Sequence, residues 1–208
     1  MIDKPSLMII GNSNVGKTSI TRLLLKSPKS FKGKTGKTPG STLLIKPIYQ
    51  PGMEFQIIDL PGFGYMKRAS RRRENHIKNQ VISHIEKYHN EYFFSLIVLN
   101  VLRIEDEMEK YFIKNTETIP LSFELISFLR EFKIPMLIVV NKIDKVSNID
   151  LNRIIGLLVE ASRAYGLNLV HLTNFQYNYN YEIPFLEFSA LKKTNIGKLK
   201  KIIYRFLG

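Results

Sequence analysis

The sequence contains no cysteine, few acidic residues in its first third and no long hydrophobic run. The absence of cysteine excludes disulfides and thiolate metal sites, and it is compatible with a reducing cytoplasm. The longest apolar run, Phe93 to Leu102, is interrupted by Ser95 and Asn100 and is too short to cross a bilayer. The N-terminus lacks the basic start and the cleavage site of a signal peptide. We therefore expect a soluble cytoplasmic protein that does not bind a membrane.

The length of 208 residues suits one domain, and we expect that domain to span residues 1–208. With 44% hydrophobic and 24% charged residues, the composition is that of a globular protein. The charge is unevenly distributed. Residues 1–73 hold 14 basic and 3 acidic side chains, net +11, whereas the rest of the chain has a net charge of only +2. This asymmetry indicates an anionic partner on one side of the molecule.

Short apolar runs alternate with longer amphipathic stretches. The predicted strands are Leu7–Ile10, Ser41–Ile48, Phe55–Asp59, Phe93–Leu102, Met136–Val140 and Phe185–Phe188. The predicted helices lie near Lys17–Lys26, Glu74–Glu91, Leu121–Phe132, Asp150–Tyr165 and Lys198–Leu207. Uniformly apolar strands between helices are typical of a parallel sheet that is covered on both faces. The second and third strands flank a Pro-Gly turn and are predicted to form an antiparallel hairpin. We thus expect an α/β fold of three layers, with a six-stranded, mostly parallel sheet, one antiparallel strand and helices on both faces.

A phosphate-binding loop directly follows the first strand. The segment 11–19 fits the pattern GxxxxGK(S/T) and opens a helix. Glycines let backbone amides approach a phosphate, the lysine reaches the β- and γ-phosphates, and the hydroxyl ligates Mg²⁺. The predicted phosphate-binding residues are Gly11, Asn12, Ser13, Asn14, Val15, Gly16, Lys17, Thr18 and Ser19.

Three further segments at strand ends select a guanine nucleotide. Asp59-Leu60-Pro61-Gly62 offers a carboxylate for Mg²⁺ and a glycine amide for the γ-phosphate. Asn141-Lys142-Ile143-Asp144 offers a carboxylate that accepts hydrogen bonds from guanine N1 and N2, while Asn141 braces the loop or accepts from the base edge. Ser189-Ala190-Leu191 offers a backbone amide for guanine O6. Four such segments in order place one ligand on one edge of the sheet, and a P-loop kinase would leave the last two without a role.

These motifs resemble the translation-factor-like GTPases and, more narrowly, the archaeal members of the EngB family. The narrower resemblance rests on GNSNVGKTS, on TPGST at 38–42 and on DLPGFGY at 59–65. It implies a small-GTPase-like fold and a GTP-binding protein of ribosome assembly that acts, in bacteria, on the large subunit. It also implies Thr18, Thr42 and Asp59 as Mg²⁺ ligands. The chain departs from the usual family pattern at Asn12, Ser41, Asn195 and the run Val101-Leu102-Arg103.

The sequence does not show what positions the attacking water. Many small GTPases place a glutamine where this chain has Phe63, which cannot orient water. Related GTPases with an asparagine at the position of Asn14 bind K⁺ beside the phosphates. We therefore predict catalytic roles for Lys17, Thr42 and Asn14, slow intrinsic turnover and potassium stimulation. The alternative is that Asn14 only fills a variable loop position.

A basic surface surrounds the two segments that are expected to respond to the γ-phosphate. It comprises Lys26, Lys29, Lys32, Lys34, Lys37, Lys67, Arg68, Arg71, Arg72 and Arg73. We predict that this surface binds ribosomal RNA or a precursor of the large ribosomal subunit; the alternative is a solvated charged loop. Phe175, Tyr177, Tyr179 and Tyr181 alternate with polar residues, and we expect them to extend the last strand or cover a helix rather than stack on bases. The six basic residues of 192–207 are expected to form a solvated helix face.

The predicted function is a GTP-hydrolysing switch that assists ribosome assembly, with GTP or GDP and Mg²⁺ bound. One alternative is an RNA-associated scaffold that binds GTP or GDP but hardly hydrolyses it. The other is a GTPase of another process, such as tRNA modification or cell division. Nothing in the sequence reads as a dimer interface, so we expect a monomer. The sequence does not indicate which RNA is bound or which nucleotide state favours binding.

Overall fold

The computed structural model describes residues 4–31, 45, 47–62, 71–113, 119–177 and 181–208. The strands are β1 Ser6–Ile10, β2 Pro47–Ile48, β3 Gln56–Asp59, β4 Tyr92–Asn100, β5 Met136–Asn141, β6 Asn168–His171 and β7 Glu182–Phe188. The helices are α1 Lys17–Leu24, α2 Arg71–Tyr88, α3 Val101–Met108, α4 Leu121–Glu131, α5 Asn148–Ala164 and α6 Ile196–Leu207. Short 3₁₀ turns at Pro28–Ser30, His89–Glu91 and Ile143–Lys145, and a π-helical turn at Glu109–Ile113, extend the helices or connect elements.

The strands form one sheet in the order β2-β3-β1-β4-β5-β7-β6. Among the strands of the described residues, the β2–β3 pair is antiparallel and the other pairings are parallel. The hairpin turn is the predicted one: Met53 N donates to Gln50 O at 3.1 Å, and Gly52 has φ 79°. A positive φ at the third position is what a type II turn requires of its glycine. The predicted fold class is therefore confirmed.

Hydrophobic residues on the two faces of the sheet form two cores. In β1, Met8 and Ile10 pack with helices α2 to α5, whereas Leu7 and Ile9 pack with α1 and α6. Side chains of a strand alternate between faces, so an unbroken apolar strand is buried on both. This arrangement of three layers fixes the carboxyl ends of the parallel strands at one edge of the sheet.

The prediction of six strands was wrong, because the sheet has seven strands among the described residues. The missed strand, β6, is a four-residue edge strand that pairs with β7. Its sequence, NLVH, holds only two apolar residues between polar ones, so its hydrophobic pattern is too short to indicate a strand. It is a strand because it pairs with β7, and not because of its own composition.

The boundary between β4 and α3 was also misplaced by the sequence pattern. Val101 and Leu102 were predicted as strand, but they form the first turn of α3. The Asn100 side chain accepts a hydrogen bond from Leu102 N at 3.2 Å and so caps the helix. The acidic residues 105–107 consequently lie inside α3.

Two predictions fall partly outside the described residues. Of the predicted strand 41–48, only Pro47–Ile48 is seen as strand, and 41–44 and 46 lie outside the description. Of the aromatic segment, Tyr179 lies outside. Phe175 and Tyr177 are not in a strand. Their rings pack against each other, with 4.8 Å between the ring centroids. Tyr177 also packs on Phe206 of α6, with 6.0 Å between ring centroids, so this residue covers a helix as expected.

Candidate nucleotide-binding site

The four predicted segments meet at the carboxyl edge of the sheet. The phosphate-binding loop follows β1, Asp59 ends β3, Asn141 ends β5, and Ser189 follows β7. These four strands are parallel members of one sheet, and parallel strands present their carboxyl ends to the same edge. The structure therefore gathers the predicted residues into one site.

Two glycines of the phosphate-binding loop are required by close packing. Gly11 and Gly16 have φ values of 146° and 105°, in the region that side chains disfavour. A Cβ at Gly11 would lie 2.3 Å from the Val98 carbonyl oxygen, and one at Gly16 would lie 2.3 Å from Asn141 Nδ2. Backbone and a buried amide thus surround the loop, which opens directly into α1 at Lys17.

Lys17 is buried in the phosphate-binding loop and is 7% exposed. Its Nζ donates to Gly11 O at 2.9 Å and to Asn12 O at 2.8 Å. Burial lowers its pKa from 10.5 to about 8, and the nearby charge of Asp59 opposes that shift. An ammonium group has three N–H donors. Two of them hold the loop, and the third is left for an anion such as a phosphate.

Asp59 and Thr18 supply adjacent oxygens. Thr18 Oγ1 donates to Asp59 Oδ2 at 2.8 Å. Burial raises the pKa of Asp59, while the Lys17 charge and the Thr18 hydroxyl oppose that rise. Asp59 Oδ1 is buried and accepts no hydrogen bond from the residues that the structure describes. A hard cation such as Mg²⁺ prefers hydroxyl and carboxylate oxygens, so this pair fits Mg²⁺. Thr42, the third predicted ligand, lies outside the described residues.

Gly62 lies directly against the phosphate-binding loop. A Cβ there would be 2.8 Å from Ser13 Cα and 2.9 Å from Lys17 Nζ. Ser13 Oγ donates to Gly62 O at 3.3 Å. The segment that ends β3 therefore contacts the loop that would hold phosphates. Phe63 and the residues up to 70 lie outside the description.

Asn141 joins three segments of the site. It is 1% exposed. Its Nδ2 donates to Val15 O at 2.8 Å, and its Oδ1 accepts from Ala190 N at 3.0 Å. Of the two roles that the sequence allowed, the structure shows bracing: both ends of the amide are bonded to the protein.

Asp144 is held at the opening of the base-binding end. Ser189 Oγ donates to Asp144 Oδ1 at 2.5 Å and accepts from Lys192 N at 3.0 Å. Lys145 Nζ lies 3.9 Å from Asp144 Oδ2. A fixed carboxylate suits the two N–H donors of guanine, which adenine does not offer. Leu191, also predicted to bind the nucleotide, is 68% exposed.

Lys142 clamps the base-binding loop to the phosphate-binding loop. It has φ 70°, and its Nζ donates to Asn14 O at 2.7 Å. Burial, reinforced by the nearby charge of Arg103, lowers the pKa of Lys142. Asn14 has φ 63° and is exposed at the tip of the loop.

Arg103 is a site residue that the sequence analysis missed. It lies in the first turn of α3, and its Nη1 is 3.5 Å from Ser13 O. Its position just beyond the end of β4, between β1 and β5 in the sheet, could have indicated it. The misplaced end of β4 concealed this signal.

Only part of the predicted RNA-binding surface is described. Lys26 and Lys29 are exposed beside α1, and Lys26 Nζ donates to Gly52 O. Lys32, Lys34, Lys37, Lys67 and Arg68 lie outside the description, and Arg71–Arg73 are placed only as the start of α2. Within the described ranges, no helix has the length and apolar character needed to cross a membrane.

The fold and the four linked segments define a P-loop domain for guanine nucleotides. A family described as "50S ribosome-binding GTPase" matches residues 6–142. Two archaeal proteins named "Probable GTP-binding protein EngB" are similar along much of their length. The one from Methanococcus aeolicus is 33% identical over 76% of this chain and 66% of its own length. The one from Pyrococcus horikoshii is 31% identical over 100% of this chain and 86% of its own. The chain belongs to the EngB family of P-loop GTPases.

Solved structures agree with this assignment. A crystal structure of a probable GTP-binding protein EngB is 27% identical, with TM-score 0.75, over 97% of this chain and 98% of that one. A structure of Era with MgGDPNP and a segment of 16S ribosomal RNA has TM-score 0.60 and 21% identity, over 97% of this chain and 56% of that one. Era shares the fold alone. The matched region spans only 66% of the length of the Methanococcus aeolicus protein and 60% of that of a "Probable GTP-binding protein EngB" from Methanococcus maripaludis.

Proposed function

We propose that this protein hydrolyses GTP and acts as a switch that binds ribosomal RNA, or a precursor of the large ribosomal subunit, during ribosome assembly. The observation that carries the nucleotide assignment is the hydrogen-bonded network of Asn141, Asp144 and Ser189. The ribosomal assignment is supported by the description of the matching family as 50S ribosome-binding GTPases. The net charge of +11 in residues 1–73 supports a polyanionic partner.

The described residues divide the chemical work between them. Lys17 would place a positive charge against the β- and γ-phosphates, where charge accumulates during phosphoryl transfer. Thr18 and Asp59 would hold Mg²⁺, which neutralises phosphate charge when bound. The contact of Gly62 with the phosphate-binding loop gives a route by which a γ-phosphate would move the basic residues that follow it in the chain.

Co-sedimentation with purified ribosomal subunits tests this function. The protein is mixed with each subunit across a KCl series, with GDP or a non-hydrolysable GTP analogue. We expect binding to the large subunit or its precursor that depends on the nucleotide and falls steeply with salt. A sharp control is Asp144→Asn: its binding should respond to xanthine nucleotides instead of guanine nucleotides. Weak binding that is the same with every nucleotide would contradict the switch.

The same experiment separates the competing functions. Nucleotide-dependent binding without measurable turnover would indicate an RNA-associated scaffold. Clear turnover without binding to either subunit would indicate a GTPase of another process.

We extend the proposal to potassium. Asn14 lies at the tip of the phosphate-binding loop in a left-handed backbone conformation, which Lys142 holds through the Asn14 carbonyl. We propose that its carboxamide would bind K⁺ beside the phosphates, where K⁺ would act as the positive charge of an arginine finger does.

Turnover in KCl and in NaCl tests the role of Asn14. Asn14→Gly keeps the positive φ accessible and removes only the carboxamide. We expect the wild type to be faster in KCl and Asn14→Gly to lose that stimulation while it still binds GDP. Asn152→Ala, exposed on α5 and outside the site, is the control and should keep it. Full stimulation in Asn14→Gly would remove this residue from the mechanism.

A further inference from the structure

The end of the chain carries a strongly basic surface that the nucleotide site does not use. From Ser189 to Gly208 there are six basic residues and no acidic residue. All six are exposed, on α6 and on the loop before it. We name this surface the α6 basic face; it comprises Lys192, Lys193, Lys198, Lys200, Lys201 and Arg205.

Helix α6 buries its aliphatic residues at the core and exposes its basic residues. Leu199, Ile202 and Ile203 are buried in the core beneath the sheet. Lys198, Lys201 and Arg205 are spaced three and four residues apart, so they form one line on the outer side. That line is about 10 Å long at 1.5 Å per residue. Because the apolar side is occupied by the core, the helix has no hydrophobic face to insert into a membrane.

The charges of the α6 basic face are not neutralised within the described part of the chain. Some exposed cations elsewhere have acidic partners: Lys78 Nζ lies 3.1 Å from Glu124 Oε1, and Arg153 pairs with Glu105. None of the ion pairs among the described residues includes a residue of α6. Like charges three and four positions apart destabilise a helix. A surface that only needed solubility would interleave both signs.

An aromatic ring completes the surface. The Arg205 guanidinium carbon lies 3.5 Å from the centroid of the Tyr177 ring. Tyr177 is 39% exposed, and Phe175 and Phe206 support its ring at 4.8 and 6.0 Å. An arginine stacked on a ring has lost part of its side-chain freedom but keeps its N–H donors for phosphate. A ring beside a line of cations suits a nucleic-acid strand, which offers both phosphates and bases.

We propose that the α6 basic face, with Tyr177, is an RNA-binding surface that acts independently of the bound nucleotide. It rests on the proposed function only for the ribosomal origin of the RNA. The face lies on α6 and on the loop before it, outside the segments around Gly62, so GTP and GDP should leave it unchanged. From the sequence, we expected this surface only to be solvated. The stacking of Arg205 on Tyr177 and the lack of acidic partners among the described residues favour RNA instead.

A charge-neutralising variant tests the proposal. The triple variant Lys198→Gln, Lys201→Gln, Arg205→Gln is compared with the matched triple Lys87→Gln, Lys110→Gln, Lys133→Gln, whose residues are also exposed. The probe is a labelled RNA hairpin with a single-stranded tail, titrated across a KCl series. We expect the α6 triple to lose about tenfold in affinity at low salt. The slope of log affinity against log salt should fall by about two to three.

The matched triple should bind RNA as the wild type does, and both should keep their melting temperature and GDP affinity. The loss should be equal with GDP and with a GTP analogue. A ring-specific pair refines the test: Tyr177→Leu should weaken binding about threefold or more without changing the salt slope, whereas Tyr177→Phe should not. Unchanged RNA binding by the α6 triple, or an equal loss in the matched triple, would overturn the proposal. Equally tight, equally α6-dependent binding to phosphatidylserine vesicles would overturn it too.

Failure of this inference is distinguishable from failure of the proposed function. Ribosomal binding that ignores the nucleotide but depends on the α6 triple would contradict the switch and support the α6 basic face. Nucleotide-dependent binding that the α6 triple leaves unchanged would do the reverse.

Discussion

At the phosphate end of the site, two buried charged groups lie close together and one carboxylate oxygen has no hydrogen bond from the described residues, whereas at the base end the amide that joins the loops is already hydrogen-bonded at both ends. Lys17 and Asp59 both have pKa values shifted toward their neutral forms by burial. Asn141, by contrast, has both ends of its amide bonded. The comparison teaches that the base end is preorganised for selection. The phosphate end is poised to gain stability when phosphates and Mg²⁺ supply the missing charges.

The largest effect is expected at the phosphate end. Lys17→Ala removes a buried charge that faces the phosphates, and GDP affinity should fall about a hundredfold or more, since a charged hydrogen bond contributes up to about 3 kcal/mol. Calorimetric titration with GDP measures this. Lys29→Ala, an exposed lysine just after α1, is the control and should bind normally. An affinity for the Lys17 variant within threefold of wild type would refute the assigned role.

The next effect concerns selection at the base end. Asp144→Asn keeps an oxygen that can accept from Ser189 but replaces the other acceptor by a donor. Its affinity for GDP should fall about thirtyfold and its affinity for XDP should rise, because xanthine offers an acceptor where guanine has an amino group. Competition binding with both nucleotides measures this. Asp150→Asn, in the first turn of α5, is the matched control. Unchanged GDP affinity would contradict base recognition by Asp144.

A smaller effect is expected for Asn141, whose side chain joins the phosphate end to the base end. Asn141→Ala leaves Val15 O and Ala190 N without their partner, at a cost of about 2 kcal/mol. The melting temperature should fall by roughly 4–8 °C, and GDP affinity should fall about tenfold. Thermal unfolding with and without GDP measures both. Asn152→Ala, which is exposed on α5, should change neither. Lost affinity at full stability would show that Asn141 contacts the base rather than bracing the loops.

A further effect is a pH dependence of the stability of the nucleotide-free protein. The pKa of Lys17 is about 8 in the folded protein and 10.5 ordinarily, so the unfolded chain holds this proton more tightly. Between pH 8 and 10.5 the wild type should therefore gain stability relative to Lys17→Met, and below pH 8 the difference should be constant. Melting temperatures across this range measure it. Lys29→Met should run parallel to the wild type. Parallel curves for Lys17→Met as well would contradict the burial of its charge.

The sequence predicted the residues of the site better than the hydrogen bonds that hold its loops together. Lys17, Asp59, Asp144 and Ser189 were identified because each belongs to a short motif at the end of a buried strand, and a parallel sheet brings such ends together. Lys142 and Asn14 are 128 positions apart in the sequence. The hydrogen bond between them depends on the distance between the ends of β1 and β5. Such distances come from packing, which a local pattern does not encode.

The fold shows the same division. The apolar strands were found from their own residues, whereas β6 exists only through its pairing with β7. Arg103 was missed because Asn100, the last residue of β4, also caps α3, so that the helix begins within the run predicted as strand. The assignment of residues 1–208 to one domain, and the monomeric state, stay predictions.

The most direct test of the account is the affinity of the wild-type protein for GDP and for ADP, measured by calorimetry in the presence of Mg²⁺. Both ligands offer the same phosphates to Lys17, Thr18 and Asp59, so the difference isolates the base end. The account predicts that GDP binds about a hundredfold or more tightly than ADP. Equal affinities would contradict the claim that Asp144 and the loops braced by Asn141 select guanine.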